Sequence, residues 1–332
     1  MIRTRITGVG RYVPPRVVTN HDLKQWMDTS DEWIRERSGI VERHWVDEKT
    51  ATSDLAVEAS KIALEQAGKK PEDVDFIIFA TLSSDYYFPG SGVLLQHKLN
   101  MPKVGAMDVR NQCSGFVYSL ATANAFIRAE MYKTILVVGA EVHSKGLDIS
   151  TEGRDVAVLF GDGAGAVVVE GFDDDSDRGI LTTHLHSQGK YAEYLWTEAP
   201  GSAGPRHISH EILEAGKAAP KMRGRDVFKH AIVRFPEVIM EALNTIGATL
   251  DDVDLLIPHQ ANLRISEAVR QRLGLPPEKV YNNIERYGNT TAATIPIALS
   301  EVLEKGMLKE GDLLILAAFG SGFTWASAAI RW

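Results

Sequence analysis

The chain has 332 residues, of which 44% are hydrophobic and 24% charged, with a net charge of −8. This is enough chain for one large or two medium globular domains, and the acidic balance argues against general affinity for nucleic acid. The single cysteine excludes an internal disulfide and fits a reducing compartment.

The first residues, MIRTRI, lead to glycine and proline and not to an apolar run. Neither a signal peptide nor a membrane-spanning segment is therefore expected, and the cytoplasm is the expected location. Residues 5–10 read as a first strand, and Asn20 or Asp22 is placed to cap a short helix. Residues 29–37 (TSDEWIRER) carry Ser and Asp caps with acids in the first turn, a second helix start. A long amphipathic helix over 53–67 would place Leu55, Ala56, Ala59, Ile62 and Ala63 on one face. Residues 75–81 (DFIIFAT) and 133–139 (KTILVVG) read as buried strands. Residues 104–109 read as a shorter buried strand, and 156–170 as two strands joined by a glycine-rich turn. The acidic run at 171–178 (GFDDDSDR) is a solvated linker, and the irregular stretch at 200–220 has the length of a functional or mobile loop.

The second half repeats the first. ALEQAG at Ala63 leads to DVDFII at Asp73, and ALNTIG at Ala242 leads to DVDLLI at Asp252, both at an offset of 179 positions. KTILVV at Lys133 matches GDLLIL at Gly311 at an offset of 178. A repeat this long implies two similar α/β halves, 1–174 and 175–332, with sheets covered on both faces.

The lone cysteine sits in DVRNQCSGF, with strand-like residues before it and Phe116, Val117, Leu120, Ala123 and Ile127 at helical spacing after it. Cys113 thus stands at a strand-to-helix turn, where unpaired helical N–H groups favour a thiolate. A buried structural cysteine is the bland alternative. His259 follows the second-half copy of strand 75–81, and Asn289 lies in the turn that corresponds to the Cys113 turn. Ligands bind at the ends of strands in open α/β sheets, so the duplication lets Cys113, His259 and Asn289 converge, although alone His259 reads as a structural histidine and Asn289 as a cap. In AFGSGF, Ser321 lies between two glycines after an apolar strand, so its N–H and that of Cys113 can form an oxyanion hole; a tight hairpin is the alternative.

With these residues in view, the chain resembles the thiolase superfamily, and within it the β-ketoacyl-acyl-carrier-protein synthase III family. The match is carried by the Cys113 turn, PHQANLRI at Pro258 and YGNTTAA at Tyr287, with TSDEW at Thr29, FGDGAG at Phe160 and FTW at Phe323. The resemblance implies a duplicated five-layer αβαβα fold and a homodimer with a Cys113–His259–Asn289 active site. It implies that Cys113 takes an acyl group from acyl-CoA, after which malonyl-acyl carrier protein loses CO₂ and condenses, with no metal or organic cofactor. His259 and Asn289 would stabilise the enolate. Thr29, Trp33, Arg37, Arg154, Phe228 and Asn262 match coenzyme contacts. Phe88, with Tyr86 and Tyr87, falls where relatives line the acyl pocket, partly across the dimer, and with the long loop it suggests a primer other than acetyl. Lys221, Arg225 and Lys229, each four apart, would form a basic helical stripe joined by Arg264, a docking rim for an acidic carrier protein. The chain departs from the pattern at Asn111-Gln112 before the cysteine, at Arg225, and at Gly320-Ser321-Gly322 in place of three glycines.

Other readings are weaker. A related condensing enzyme of secondary metabolism shares the same residues. A papain-type Cys–His–Asn hydrolase lacks support from the duplication, and a degradative thiolase needs a second cysteine. The glycines at Gly8 and Gly161 complete no dinucleotide fingerprint, and His184, His186, His207 and His210 have the ligand type for a metal but a spacing common by chance.

Overall fold

The computed structural model describes residues 2–332. Two sheets organise them. The first runs in the order Arg3–Tyr12, Gly163–Phe172, Thr134–Glu141, Phe76–Ala80, Gly105–Val109, and the last three strands are mutually parallel. The second runs Leu255–Pro258, Leu313–Gly320, Thr324–Arg331, Gly179–Ser187. Helices Gly115–Arg128 and Thr294–Glu304 lie between the sheets. Their Phe116, Leu120, Ile295 and Leu299 share one core with Val137 and Val167 of the first sheet and Leu314 and Ala328 of the second. Helix Thr52–Gln66 covers the outer face of the first sheet, and helices Gly224–Ile246 and Leu263–Leu273 cover that of the second. The result is the five-layer α/β arrangement of the thiolase fold, and strands such as Thr134–Glu141, buried at every residue, explain the unbroken apolar runs.

The repeated Asp-Val-Asp has a local cause. Asp73 Oδ2 accepts from Lys70 N–H and closes a turn, as Asp252 Oδ2 does from Thr249. Asp75 Oδ2 accepts from Thr134 N–H at the start of the neighbouring strand, as Asp254 Oδ2 does from Leu313. These pairs hold the offset at 179, one residue from the expected register of the second match. The same offset relates the 3₁₀ turns Gln112–Ser114 and Thr291–Ala293, each opened by a residue with positive φ (Gln112 43°, Thr291 49°).

Several elements differ from expectation. Gly105–Val109 is the edge strand of its sheet, with Gly105 and Asp108 exposed, because no strand pairs with its outer side. Residues 156–170 hold one strand, Gly163–Phe172; the apolar residues before it belong to the short helix Arg154–Ala157 and a turn. Thr19, not Asn20 or Asp22, caps the first short helix, with Asp22 closing the capping box. Ile62 faces solvent. The 200–220 stretch carries a short helix, His210–Glu214, capped by Ser209. Lys221 lies in a two-residue strand before helix Gly224–Ile246, so it is not part of a helical stripe with Arg225 and Lys229.

Candidate active site

Cys113 follows an edge strand and opens the central helix of the first half; His259 follows strand Leu255–Pro258 of the second. A Cβ at Gly139 would fall 2.3 Å from the Ala292 carbonyl oxygen, so the glycine lets the Asn289 turn lie directly on the first sheet. The three side chains meet in a cavity of about 820 Å³ that runs from half-exposed Arg37 to the buried thiol.

Each polar group there has a defined orientation. Asn289 Oδ1 accepts from Thr291 N–H at 2.8 Å, which leaves the Nδ2 donors for the cavity. His259 Nδ1 lies 2.7 Å from Thr294 Oγ1, and that hydroxyl lies 3.0 Å from the Thr291 carbonyl oxygen. The single Thr294 proton therefore decides which imidazole nitrogen is protonated. His259 Nε2 is buried and unpartnered, an uncompensated polar atom beside the thiol that suits a ligand. Burial pushes the His259 pKa down to about 3, so the ring is neutral.

The N–H groups of Ser321 and of Cys113 itself favour the ionised form of the Cys113 sulfur. The expected easy ionisation is not found: burial raises the thiol to about 12, and the two N–H groups offset only part of that. Position at a helix start is outweighed by loss of water around the sulfur. A Cβ at Gly320 would lie 2.5 Å from the sulfur, so only glycine allows this approach. Ser321 uses its hydroxyl on the Leu195 carbonyl, which anchors the loop that carries its N–H.

At the outer end, the Arg37 and Arg154 guanidinium groups lie 4.5 and 5.0 Å from the Trp33 ring centroid. Trp33, Arg37, Phe228, Asn262, Arg225, Lys229 and Arg264 line the cavity. Arg264 lies 5.8 Å from the Phe228 ring centroid, which sets the basic side chains on one rim. Asn262 also caps helix Leu263–Leu273 through Oδ1 and donates Nδ2 to the Arg37 carbonyl, so its amide is structurally committed. Three expectations fare differently. Thr29 does not reach the cavity wall; Arg154 touches Trp33 but bonds to Asp28; Phe88 is 81% exposed and lines neither this cavity nor its neighbour. His184 and His186 both face Glu241, at 3.2 and 2.6 Å, and no metal-ligand cluster occurs among the described residues.

Sequence reasoning missed Thr294, which orients His259, and two buried groups beyond the thiol, Glu141 and His143. Glu141 accepts from Thr81, Leu82 and Ser83, and burial holds its pKa up at about 7. The one available signal was position: His143 follows an apolar strand as His259 does.

Comparison with known proteins gives a consistent result. Residues 107–189 match the family model for 3-oxoacyl-[acyl-carrier-protein (ACP)] synthase III, and residues 243–332 match that for its C-terminal part. A β-ketoacyl-[acyl-carrier-protein] synthase III of Caldanaerobacter subterraneus is 47% identical over 331 residues, covering 100% of this chain and 98% of that protein. Crystal structures of synthase III from Aquifex aeolicus and Thermus thermophilus are each 41% identical. They superpose with TM-scores of 0.89 and 0.91, cover 99% of this chain, and are themselves covered to 100% and 99%.

Proposed function

The chain belongs to the 3-oxoacyl-[acyl-carrier-protein] synthase III family, and we propose that Cys113, His259 and Asn289 carry out its condensation in two half-reactions. As a member, it is an acyltransferase of fatty acid biosynthesis. The observation that carries the residue assignment is the meeting of the sole thiol, a neutral imidazole and a free amide donor in one cavity that reaches the surface.

In the first half-reaction the Cys113 sulfur attacks the thioester carbonyl of acyl-CoA. The C–S bond to coenzyme A breaks and the thiol proton leaves with coenzyme A. Negative charge on the carbonyl oxygen is met by the N–H groups of Cys113 and Ser321. The CoA body lies along Trp33, Arg37, Phe228 and Asn262. In the second half-reaction malonyl-acyl carrier protein loses CO₂. When the Thr294 hydroxyl turns from the Thr291 carbonyl to donate to His259 Nδ1, the imidazole proton sits on Nε2, and His259 Nε2–H and Asn289 Nδ2–H donate to the enolate oxygen. The enolate carbon attacks the acyl-cysteine, and the released thiolate takes a proton from solvent. β-Ketoacyl-carrier protein and CO₂ are the products. This sequence needs no metal and no organic cofactor.

Arg225, Lys229 and Arg264 form the docking rim for the carrier protein; their place around the cavity mouth supports this. A homodimer is supported by the unpaired edge strand Gly105–Val109 and the exposed Tyr86, Tyr87 and Phe88. No helix among the described residues is long and apolar enough to cross a membrane, and we place the enzyme in the cytoplasm.

The test is intact-mass spectrometry after incubation with acyl-CoA. The wild-type chain should gain one acyl group and Cys113→Ala none. An acyl adduct on the alanine variant would remove Cys113 from the nucleophile's role.

A further inference from the structure

Beyond the thiol lies a second chamber of about 510 Å³ whose wall includes Cys113 and Ser321. Like the CoA cavity, it reaches Cys113. An acyl group on Cys113 can extend into it. The space exceeds what a two-carbon acetyl group fills by a wide margin.

The chamber is not a simple apolar slot. Tyr86, Tyr87 and Trp196 supply aromatic surface, yet His143, Arg110 and Gln112 also line it. His143 is 8% exposed, and its Nε2 lies 2.6 Å from Thr291 Oγ1. The ring lines the chamber, and its hydrogen bond to Thr291 engages Nε2 and leaves Nδ1 available. Phe160 packs on the ring with centroids 4.6 Å apart and holds its orientation. A purely hydrocarbon chain would cover this nitrogen and leave it unpaired, a state that costs about 1–3 kcal/mol. An oxygen on the chain would satisfy it. A neutral ring serves a hydroxyl by accepting or donating, according to which way the Thr291 hydroxyl turns. Arg110, on the exposed side, would meet a carboxylate.

Taking this chamber as the place where the acyl group on Cys113 extends, we propose that His143 selects a chain of medium length bearing an oxygen function, a hydroxyl or a carboxylate, over its plain hydrocarbon counterpart. This rests on the proposed acylation of Cys113 and names the class of acyl group that the site prefers.

The test measures Cys113 acylation rates by intact mass with acetyl-CoA, octanoyl-CoA, 3-hydroxyoctanoyl-CoA and the CoA ester of octanedioic acid. The wild-type chain should take at least one oxygenated eight-carbon ester about fivefold or more faster than octanoyl-CoA, the lower bound set by one unpaired polar group. Preference for the hydroxy ester assigns the reading to His143, and preference for the carboxy ester adds Arg110. His143→Leu should shift the ratio towards octanoyl by a similar factor, and His143→Gln, which keeps a polar group, should hold it. Octanoyl-CoA reacting as fast as both oxygenated esters, or a ratio unmoved in a folded His143→Leu, overturns the inference while leaving the condensation intact. Failure of every ester to label Cys113, acetyl included, overturns the proposed function and this inference with it.

Discussion

Replacing Gly320 with alanine probes the contact on which the acylation step depends. The residue ends strand Leu313–Gly320, and its backbone conformation does not demand glycine; the demand comes from its neighbour. The new Cβ would stand 2.3 Å from Cys113 Cβ and 2.5 Å from the sulfur. Ordinary carbon contacts need about 3.5 Å or more, so the strand end and the Cys113 turn must separate by about 1 Å. Overpacking of this kind costs about 1–3 kcal/mol of stability, which a protein of this size tolerates. The larger effect is on rate. The Ser321 N–H, one residue on, favours negative charge at the sulfur, and a displacement of about 1 Å takes it out of line with the developing oxyanion. Loss of one such donor corresponds to about 10²–10³ in rate. The assay is the time course of acylation from acyl-CoA by intact mass, with thermal melting to confirm folding. A folded Gly320→Ala that acylates within a factor of about three of wild type would refute the reasoning, because it would mean that neither the close approach nor the Ser321 donor matters.

Three further outcomes are expected. His259→Ala and Asn289→Ala should still acquire the acyl group but lose malonyl decarboxylation by about 10²–10³ each, measured as CO₂ release; normal decarboxylation with failed acylation would reverse the assignment. Arg225→Glu combined with Lys229→Glu should raise the apparent KM for malonyl-carrier protein, with the effect shrinking as salt rises, while acylation from acyl-CoA changes much less; equal losses in both steps would place docking elsewhere. Because burial lifts the Cys113 thiol to about 12, the reactive thiolate fraction grows about tenfold per pH unit up to that value. Iodoacetamide should therefore alkylate Cys113 at a rate that climbs without a plateau between pH 7 and pH 9, and a plateau in that window would show a much lower pKa.

The duplicated architecture was legible in the chain because its determinants are local. An aspartate that closes a turn and a second that pins the next strand leave the same short pattern wherever they act, as Asp73 and Asp75 and then Asp252 and Asp254 do. Strands buried on both faces likewise write themselves as unbroken apolar runs. From the repeat alone His259 follows the copy of strand 75–81, and Asn289 falls in the turn that corresponds to the Cys113 turn. What the chain could not reveal depends on contacts between layers. His143, distant in sequence, lines the second chamber and shares Thr291 with the Asn289 turn. Cys113 stands at a helix start, which favours ionisation, yet the second half closes over it and removes the water that a thiolate requires. Helix position is a property of a few successive residues; burial is a property of everything packed around them, and only the folded chain determines it.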